Sequence, residues 1–335
     1  MTGCEILSRS SDGPMDYSIA EHADSIDEIL GPNLSAKLTR LGAELFSLRL
    51  AHPDFGSIGL LLNDDEPIPA HSWWNSHAPL LFPIVGGLVG NISRLRDGTR
   101  ILLTNHGFAR KTLFTRKGHH ANASGAWIEY ELTDTSIVHG CYPWKFTFVV
   151  RYELSDLSLK VTMRVTNRDA TDMWYQLGWH PGFKTPFLRD KGNRSDVRLI
   201  LPEGMYTLYE CDDNSSLTGK KERRELGGAF DFTDEGLART YVFDMSEIKD
   251  RTAALVDPNS GMTVMLSFAD FPHLGVWSDG PFICLEPWQG CDDYADQTVF
   301  EDKFGIVTLA PGKSDTREIL LSVNYDPAPA PLRQE

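Results

Sequence analysis

Apolar side chains recur at every second position along residues 144–166, with one interruption at Ser155-Asp156. The apolar positions are Phe146, Phe148, Val150, Tyr152 and Leu154 before the interruption, and Leu157, Leu159, Val161, Met163 and Val165 after it. A period of two places the apolar side chains of each run on one face, which is the pattern of a half-buried β-strand. The segment therefore predicts an antiparallel hairpin that turns at Ser155-Asp156.

Further runs of strand composition are separated by clusters of Gly, Pro, Asn and Asp, which are typical of turns. They cover 126–132, 172–179, 196–202, 261–268, 274–277, 281–285 and 317–324. Only 17–30 has apolar spacing compatible with a helix, and this segment is equally compatible with two short strands. No strand alternates with a long helical pattern, so the prediction is an all-β fold, a large antiparallel β-sandwich or a barrel-like assembly.

The length of the chain bears on its domain organisation. With 335 residues it can bury a substantial core, and large all-β units often extend over this length as one domain. No internal repeat or low-complexity tract divides it. Residues 1–335 are therefore predicted to form a single domain, with flexible ends at about 1–14 and 326–335.

The composition of the chain limits which partners it can bind and where in the cell we expect it. No apolar run reaches the roughly 18 residues of a membrane helix, and no leader segment is recognisable at the start, so we expect a cytoplasmic protein with no membrane partner. The formal charge of −15 and the absence of a basic patch argue against nucleic acid. Five scattered cysteines without a Cys-x-x-Cys pair are expected to be reduced thiols, with no zinc or redox role.

Two stretches share one layout, Trp179-His180-Pro181 and Leu285-Glu286-Pro287-Trp288. Each places a titratable residue at a predicted strand end, beside a tryptophan and before a proline. A residue before proline is restricted to extended backbone, which fixes the direction of its side chain. The tryptophan adds a flat apolar wall suited to a sugar ring and lowers the local polarity. The alternative is that both stretches are ordinary turns after strands.

Residues 82–114 combine glycines with three candidate ligand-binding side chains, Arg94, His106 and Arg110. The Gly86-Gly87 pair resembles a phosphate-binding loop only superficially, because the Gly-Lys-Ser/Thr ending and a following helix are missing. Close approach of the backbone or a turn explains these glycines better. For the arginines, the alternative is a solvated surface position.

Three motifs in order, NHGFAR at 105–110, LGWHPGF at 177–183 and FICLEPWQG at 282–290, resemble the aldose 1-epimerase superfamily, also called galactose mutarotase-like. The resemblance covers roughly residues 35–325. It implies a large antiparallel β-sandwich of one domain and an enzyme that interconverts the α and β anomers of an aldose without a cofactor or metal. The implied partner is a monosaccharide or sugar phosphate.

The resemblance also implies roles for individual residues. His180 corresponds to the general acid of the family and Glu286 to its general base. His106 and Arg94 correspond to ligand-binding positions, although Arg94 stands in Ser-Arg-Leu where the family has Asn-Arg-Ile. The family's ligand-binding aspartate matches no motif here, and Asp244 is one candidate.

The sequence leaves the substrate open. His-Gly-Phe-Ala-Arg replaces the His-Gly-Gly of galactose-specific members and is similar to the branch that includes hexose-6-phosphate mutarotases. Arg110 is therefore a candidate phosphate ligand, and Trp288 a candidate wall for the sugar ring.

Two other functions are compatible with the same fold. A non-catalytic carbohydrate-binding or sensing protein needs aromatic walls and arginines but has no need of the His180–Glu286 pair. A glycosidase or lyase usually needs a second carboxylate or a tyrosine-like base, and Glu286 has no acidic partner in a recognisable motif.

Overall fold

Strands form almost all of the regular structure, which confirms the all-β prediction. The computed structural model describes residues 5–9, 17–22, 25–62, 76–137, 140–212, 216–230, 240–278 and 280–325. Short 3-10 turns lie at Val89–Asn91, Ala109–Lys111, Asp134–Ser136, Arg194–Asp196 and Phe300–Asp302. None of the helices in the described ranges is long and apolar enough to cross a membrane.

The strands are numbered in chain order. The first twelve are β1 Glu5–Arg9, β2 Ser18–His22, β3 Ile26–Leu30, β4 Leu34–Thr39, β5 Glu44–His52, β6 Gly56–Gly59, β7 Leu80–Leu81, β8 Ile92–Arg94, β9 Arg100–Leu102, β10 Thr115–Asn122, β11 Gly125–Thr133 and β12 Phe146–Ser155. The others are β13 Ser158–Asn167, β14 Met173–Tyr175, β15 Gly178–Trp179, β16 Gly182–Lys184, β17 Arg198–Cys211, β18 Leu217–Phe230, β19 Tyr241–Asp244, β20 Thr252–Asp257, β21 Met262–Ser267, β22 His273–Trp277, β23 Phe282–Trp288, β24 Val307–Leu309 and β25 Ser314–Tyr325.

The predicted hairpin is present as β12 and β13, paired in register from Phe146 opposite Asn167 to Ser155 opposite Ser158. The ambiguous segment 17–30 forms two short antiparallel strands, β2 and β3. The run predicted over 172–179 is divided between β14 and β15, which belong to different sheets.

Two large antiparallel sheets make up the sandwich. In the smaller one, β1 to β6 follow one another in chain order. In the larger one the order is β10-β11-β12-β13-β25-β21-β20-β17-β19-β22-β23-β15-β7, with β18 paired to β17 and β16 paired to β23. Its last strands carry Glu286 and Trp288 on β23, and β15 leads directly into His180.

The smaller sheet packs against one end of the larger sheet, and one hydrophobic cluster takes residues from both. Polar contacts also join them, since Tyr130 of β11 donates to Asp27 of β3 and Tyr152 of β12 donates to the carbonyl of Ala43. A shared core of this kind is what a single domain requires. Residues 5–9 of the N-terminal segment form β1, and the remainder of the two ends predicted to be flexible lies outside the described residues.

Candidate active site

His180 and Glu286 are in direct contact. His180 follows β15, and its Nε2 lies 3.0 Å from Oε2 of Glu286 in β23. The exposed fractions are 5% for His180 and 1% for Glu286, so the contact is buried. The indole of Trp288, two residues beyond on the same strand, donates to the same carboxyl oxygen over 3.2 Å.

The two residues reach this contact by different routes. The chain breaks between β15 and β16 at His180-Pro181, where the His180 amide donates to the Pro79 carbonyl. Glu286 instead lies within β23, with β22 on one side and β15 and β16 on the other. The strand-end position expected from the sequence therefore holds for His180, whereas Glu286 is buried between neighbouring strands.

Burial sets the protonation of the pair. Removal from water lowers the pKa of His180 to about 3, and the nearby charge of Arg110 acts in the same direction. Removal from water also raises the pKa of Glu286 well above its usual range, against the effect of the Trp288 hydrogen bond. Both shifts disfavour the charged forms. At rest the shared proton therefore lies on the carboxyl group, and the imidazole is neutral.

His106 completes a cluster of two histidines and one carboxyl group. Its ring meets the ring of His180 edge-on, with centroids 5.4 Å apart. The Gly86 amide donates to His106 Nδ1 over 3.0 Å, and the His106 amide donates to the Gly86 carbonyl over 2.8 Å. Since an amide can only donate, Nδ1 is an acceptor and the neutral ring carries its proton on Nε2. Burial, reinforced by the charges of Arg110 and Lys303, holds the pKa of His106 well below its usual range.

The backbone around His106 explains two glycines. Gly86 has φ +63, and a Cβ there would lie 2.1 Å from the Asp292 carboxylate. Gly107 has φ +71, and a Cβ there would lie 2.3 Å from the Phe82 carbonyl oxygen. Both positions combine left-handed backbone with a close approach that only glycine allows. The sequence interpretation of Gly86-Gly87 as a close approach or turn matches this geometry.

A buried charged group holds this glycine loop, and the sequence motifs gave no sign of it. Asp292 accepts from the Gly87 amide over 2.7 Å. The Lys303 ammonium donates to the Gly87 carbonyl and to Asp293, which in turn accepts from the Val89 amide. The two aspartates follow Glu286 by six and seven residues, so one stretch of chain supplies both the carboxyl of the central pair and the support for the His106 loop.

Arg110 acts electrostatically on both histidines. Its positive charge lowers the pKa of each. Its guanidinium donates to the Asn105 carbonyl over 3.1 Å, and its Nε is buried without a hydrogen-bond partner in the described part of the chain. Burial lowers the pKa of Arg110, and the carboxylate of Glu44 opposes that effect. Glu44 is thus a second carboxylate near the cluster, and it accepts from the backbone amides of 77 and 78.

Arg94 and Trp288 are placed differently from expectation. β8 and β9 form a hairpin around Asp97-Gly98, which sets Arg94 opposite Arg100 with its side chain exposed. Of the two candidate arginines, only Arg110 is close enough to perturb the histidines. Trp288 is 2% exposed, so in this structure it supports Glu286 within the core and presents no open wall.

Asp244 lies on the same face of the sheet as Glu286. It is paired with His273 of β22, which is paired with Trp288 of β23. Directly opposed residues of antiparallel strands share a face, as do residues two apart on one strand. The Tyr209 hydroxyl donates to Asp244 over 3.2 Å. Only the pairing of distant strands reveals this alignment, which has no counterpart in the sequence motifs.

Comparison with known proteins agrees with the fold and with the predicted family. The aldose 1-epimerase family model matches residues 29–322. Protein LacX of Lactococcus lactis is 27% identical over 302 residues, covering 85% of this chain and 94% of LacX. A galactose mutarotase related enzyme from Lactobacillus acidophilus has a similar structure, with a TM-score of 0.80, 26% identity, and coverage of 89% of this chain and 97% of that one. A galactose mutarotase-like protein from Lactobacillus casei has a TM-score of 0.77 and 26% identity, covering 89% of this chain and 100% of that one. With most of its length matched by the family model, the chain belongs to the aldose 1-epimerase family.

Proposed function

We propose that the protein is an aldose 1-epimerase, an isomerase that interconverts the α and β anomers of an aldose by opening and closing the sugar ring. The observation that carries the proposal is the buried contact of 3.0 Å between His180 Nε2 and Glu286 Oε2. Ring opening needs one proton removed from the anomeric hydroxyl and one delivered to the ring oxygen, and an adjacent acid and base supply both.

The reaction begins when the pair transfers its proton from Glu286 to His180, a step that the 3.0 Å contact allows. The carboxylate then takes the anomeric hydroxyl proton while the imidazolium protonates the ring oxygen, and the ring C–O bond breaks to give the open-chain aldehyde. This returns the pair to the neutral state that burial favours. Rotation about the first carbon–carbon bond exposes the other carbonyl face, and the same steps in reverse close the ring.

Neighbouring side chains would hold the sugar in place. In this proposal the Nε2 proton of neutral His106 donates to a ring hydroxyl, and Arg110 provides a charged donor for a phosphate group. Asp244 accepts from a hydroxyl group farther along the same face. Trp288 positions the Glu286 carboxyl through its indole donor. Arg94 remains a candidate ligand from the sequence motif, although its side chain is exposed.

The activity is tested by following a freshly dissolved α-anomer of glucose or galactose, or the matching 6-phosphate, with polarimetry and saturation-transfer NMR. We expect faster anomeric equilibration in the presence of the protein. Glu286→Gln and His180→Asn should each lower turnover by about 10²-fold or more with unchanged melting, because each removes one proton-transfer group. Bound sugar without acceleration would favour the carbohydrate-sensing alternative, and wild-type rates in both variants would refute the assigned pair.

The substrate class depends on Arg110. A guanidinium binds phosphate through paired hydrogen bonds, and the buried Nε of Arg110 has no partner among the described residues. We propose a preference for an aldose 6-phosphate over the neutral sugar. Arg110→Ala should then weaken the phosphorylated substrate about 10- to 100-fold and barely change the neutral one, measured as kcat/KM. Equal losses for both substrates would mean that Arg110 serves Glu44 or the sugar ring, and would leave a neutral aldose as the substrate.

A further inference from the structure

Three metal-binding side chains converge at the centre of the site. One donor atom from each of His180, Cys284 and Glu286 lies within 4.8 Å of the other two, and all three residues are buried. Cys284 precedes Glu286 by two residues on β23, so the two side chains share a face. It is paired with Gly182 of β16, two residues after His180. The strands that bring the acid and base together therefore bring a thiol with them.

This donor set suits a borderline-soft divalent ion. Zinc takes thiolate sulfur at about 2.3 Å, imidazole nitrogen at about 2.0–2.1 Å and carboxylate oxygen at about 2.0–2.2 Å, in tetrahedral geometry. Ligand atoms at those distances lie roughly 3.3–3.7 Å from one another. The observed donors reach that spacing through shifts on the order of 1 Å in the side chains. A thiolate and a carboxylate together neutralise a divalent ion, so the complex brings no net charge into the apolar interior.

We propose that His180, Cys284 and Glu286 form a binding site for Zn²⁺ or a similar ion, and that occupation of this site blocks the acid–base pair. The ion displaces one proton from the thiol and one from the carboxyl group, and it coordinates the imidazole nitrogen. The inhibitory consequence rests on the proposed epimerase function, whereas the binding site does not. Cys284 thus makes the site sensitive to metal, a property that the acid and base alone would not give it.

Cobalt is the direct probe, because Co²⁺ bound to a thiolate absorbs in the near ultraviolet and tetrahedral Co²⁺ absorbs in the visible range. The protein is first stripped of metal with a chelator and then titrated with Co²⁺. We expect a thiolate-to-cobalt band that saturates at one ion per chain and that Zn²⁺ abolishes by displacement. X-ray absorption of the zinc-loaded wild type should show one sulfur ligand together with nitrogen or oxygen ligands.

Cys284→Ser is the test variant and Cys291→Ser the matched control, since both thiols are fully buried and lie on the same stretch of chain. The thiolate band should disappear in the first variant and persist in the second. Loss of a direct ligand should raise the Zn²⁺ concentration for half-inhibition at least about tenfold, measured against the metal-free rate of the same variant.

The outcomes separate this proposal from the proposed function. Absence of a thiolate band in wild-type protein, a band retained in Cys284→Ser, or activation by Zn²⁺ would each overturn the inhibitory site. If Cys284→Ser fails to fold, the sulfur ligand seen by X-ray absorption of the wild type decides the matter. A protein that binds Co²⁺ through Cys284 but never accelerates anomerisation would refute the epimerase proposal and leave the metal site standing.

Discussion

At the scale of single residues, position within the sheet determines the chemistry of a side chain. A carboxyl group at Glu286 loses its water and becomes a weak acid, whereas Asp27 is equally buried but is met by two arginines and a tyrosine hydroxyl. The two sites differ in the side chains that surround the carboxyl group. Burial penalises a charge, and nearby opposite charges or hydrogen-bond donors offset that penalty. A sequence identifies the residue type but does not identify these partners.

Asp292 provides a test of this reasoning through pH. Burial raises its pKa from 3.8 to about 6, and Lys303 opposes the rise. The folded state therefore holds the proton more tightly than the unfolded chain, so the stabilisation is complete below pH about 4 and is lost as the pH rises through about 6. The shift corresponds to about 3 kcal/mol. Between pH 4 and pH 8, urea denaturation should show the wild type losing roughly that much stability relative to Asp292→Asn.

Exposed Asp97 provides the control. Asp97→Asn should parallel the wild type from about pH 5 to pH 8, because hydrogen bonds from Thr99 lower the pKa of Asp97 and keep its titration below that range. Parallel stability curves for the wild type and Asp292→Asn would show that the carboxyl of Asp292 titrates normally in the fold. The charge of Asp293 also acts on Asp292, and it is unchanged in this comparison.

At the scale of elements, the strongest sequence signal predicted the structure best. The β12–β13 hairpin was predicted because apolar side chains recur at every second position of both strands, with Val149 as one additional buried residue. By contrast, β18 was missed, because most of its residues are exposed on both faces and no alternation exists to detect. This segment forms a strand because its backbone pairs with β17 along its length. Backbone pairing of this kind leaves no periodic trace in the sequence.

The loop that carries Gly86 tests whether a backbone segment outside the His180–Glu286 pair positions the site, because the Gly86 amide holds the His106 ring. Gly86→Ala would place a Cβ 2.1 Å from the Asp292 carboxylate in left-handed backbone. We expect a loss of about 1–3 kcal/mol in the free energy of unfolding, and a fall in kcat/KM of at least about tenfold as the His106 ring moves. Gly90→Ala is the matched control, because Gly90 has φ +65 and a Cβ added there would meet no atom closer than 3.9 Å. If the two variants lost the same unfolding free energy and the same kcat/KM, backbone strain alone would explain the loss in Gly86→Ala.

At the scale of the whole molecule, the buried carboxylate of Asp27 connects the two sheets. It accepts hydrogen bonds from Arg40 of the smaller sheet, from Arg116 of β10 and from Tyr130 of β11. Its exposed fraction is 0%, so removing it leaves a buried hydroxyl without its acceptor and leaves the two partly buried arginines with Glu21 as their remaining carboxylate. A contact of this kind strongly couples the packing of one sheet to that of the other.

Asp27→Ala should therefore lower the free energy of unfolding by about 3–5 kcal/mol, as expected when one partner of a buried ion pair is removed. Urea denaturation measures the change. The control is Asp302→Ala, which breaks an exposed pair with Arg96 and should cost under about 1 kcal/mol. Similar losses in the two variants would show that the Asp27 contacts contribute no more than a surface ion pair.

The sequence by itself determined the fold class, because alternation with period two allows only strands, and it supplied the motifs that contain His180, Glu286 and His106. Those residues are recognisable because proline and glycine constrain the backbone locally, within a few positions of each side chain. The tertiary structure decided what surrounds them. Three features depend on strand pairing or on contacts between residues that are distant in the chain. They are the support of Gly86-Gly87 by Asp292 and Lys303, the placement of Cys284 beside the pair, and the exposure of Arg94. Such contacts form through packing across the sheets, where burial and pairing are set by the whole fold and no local spacing encodes them.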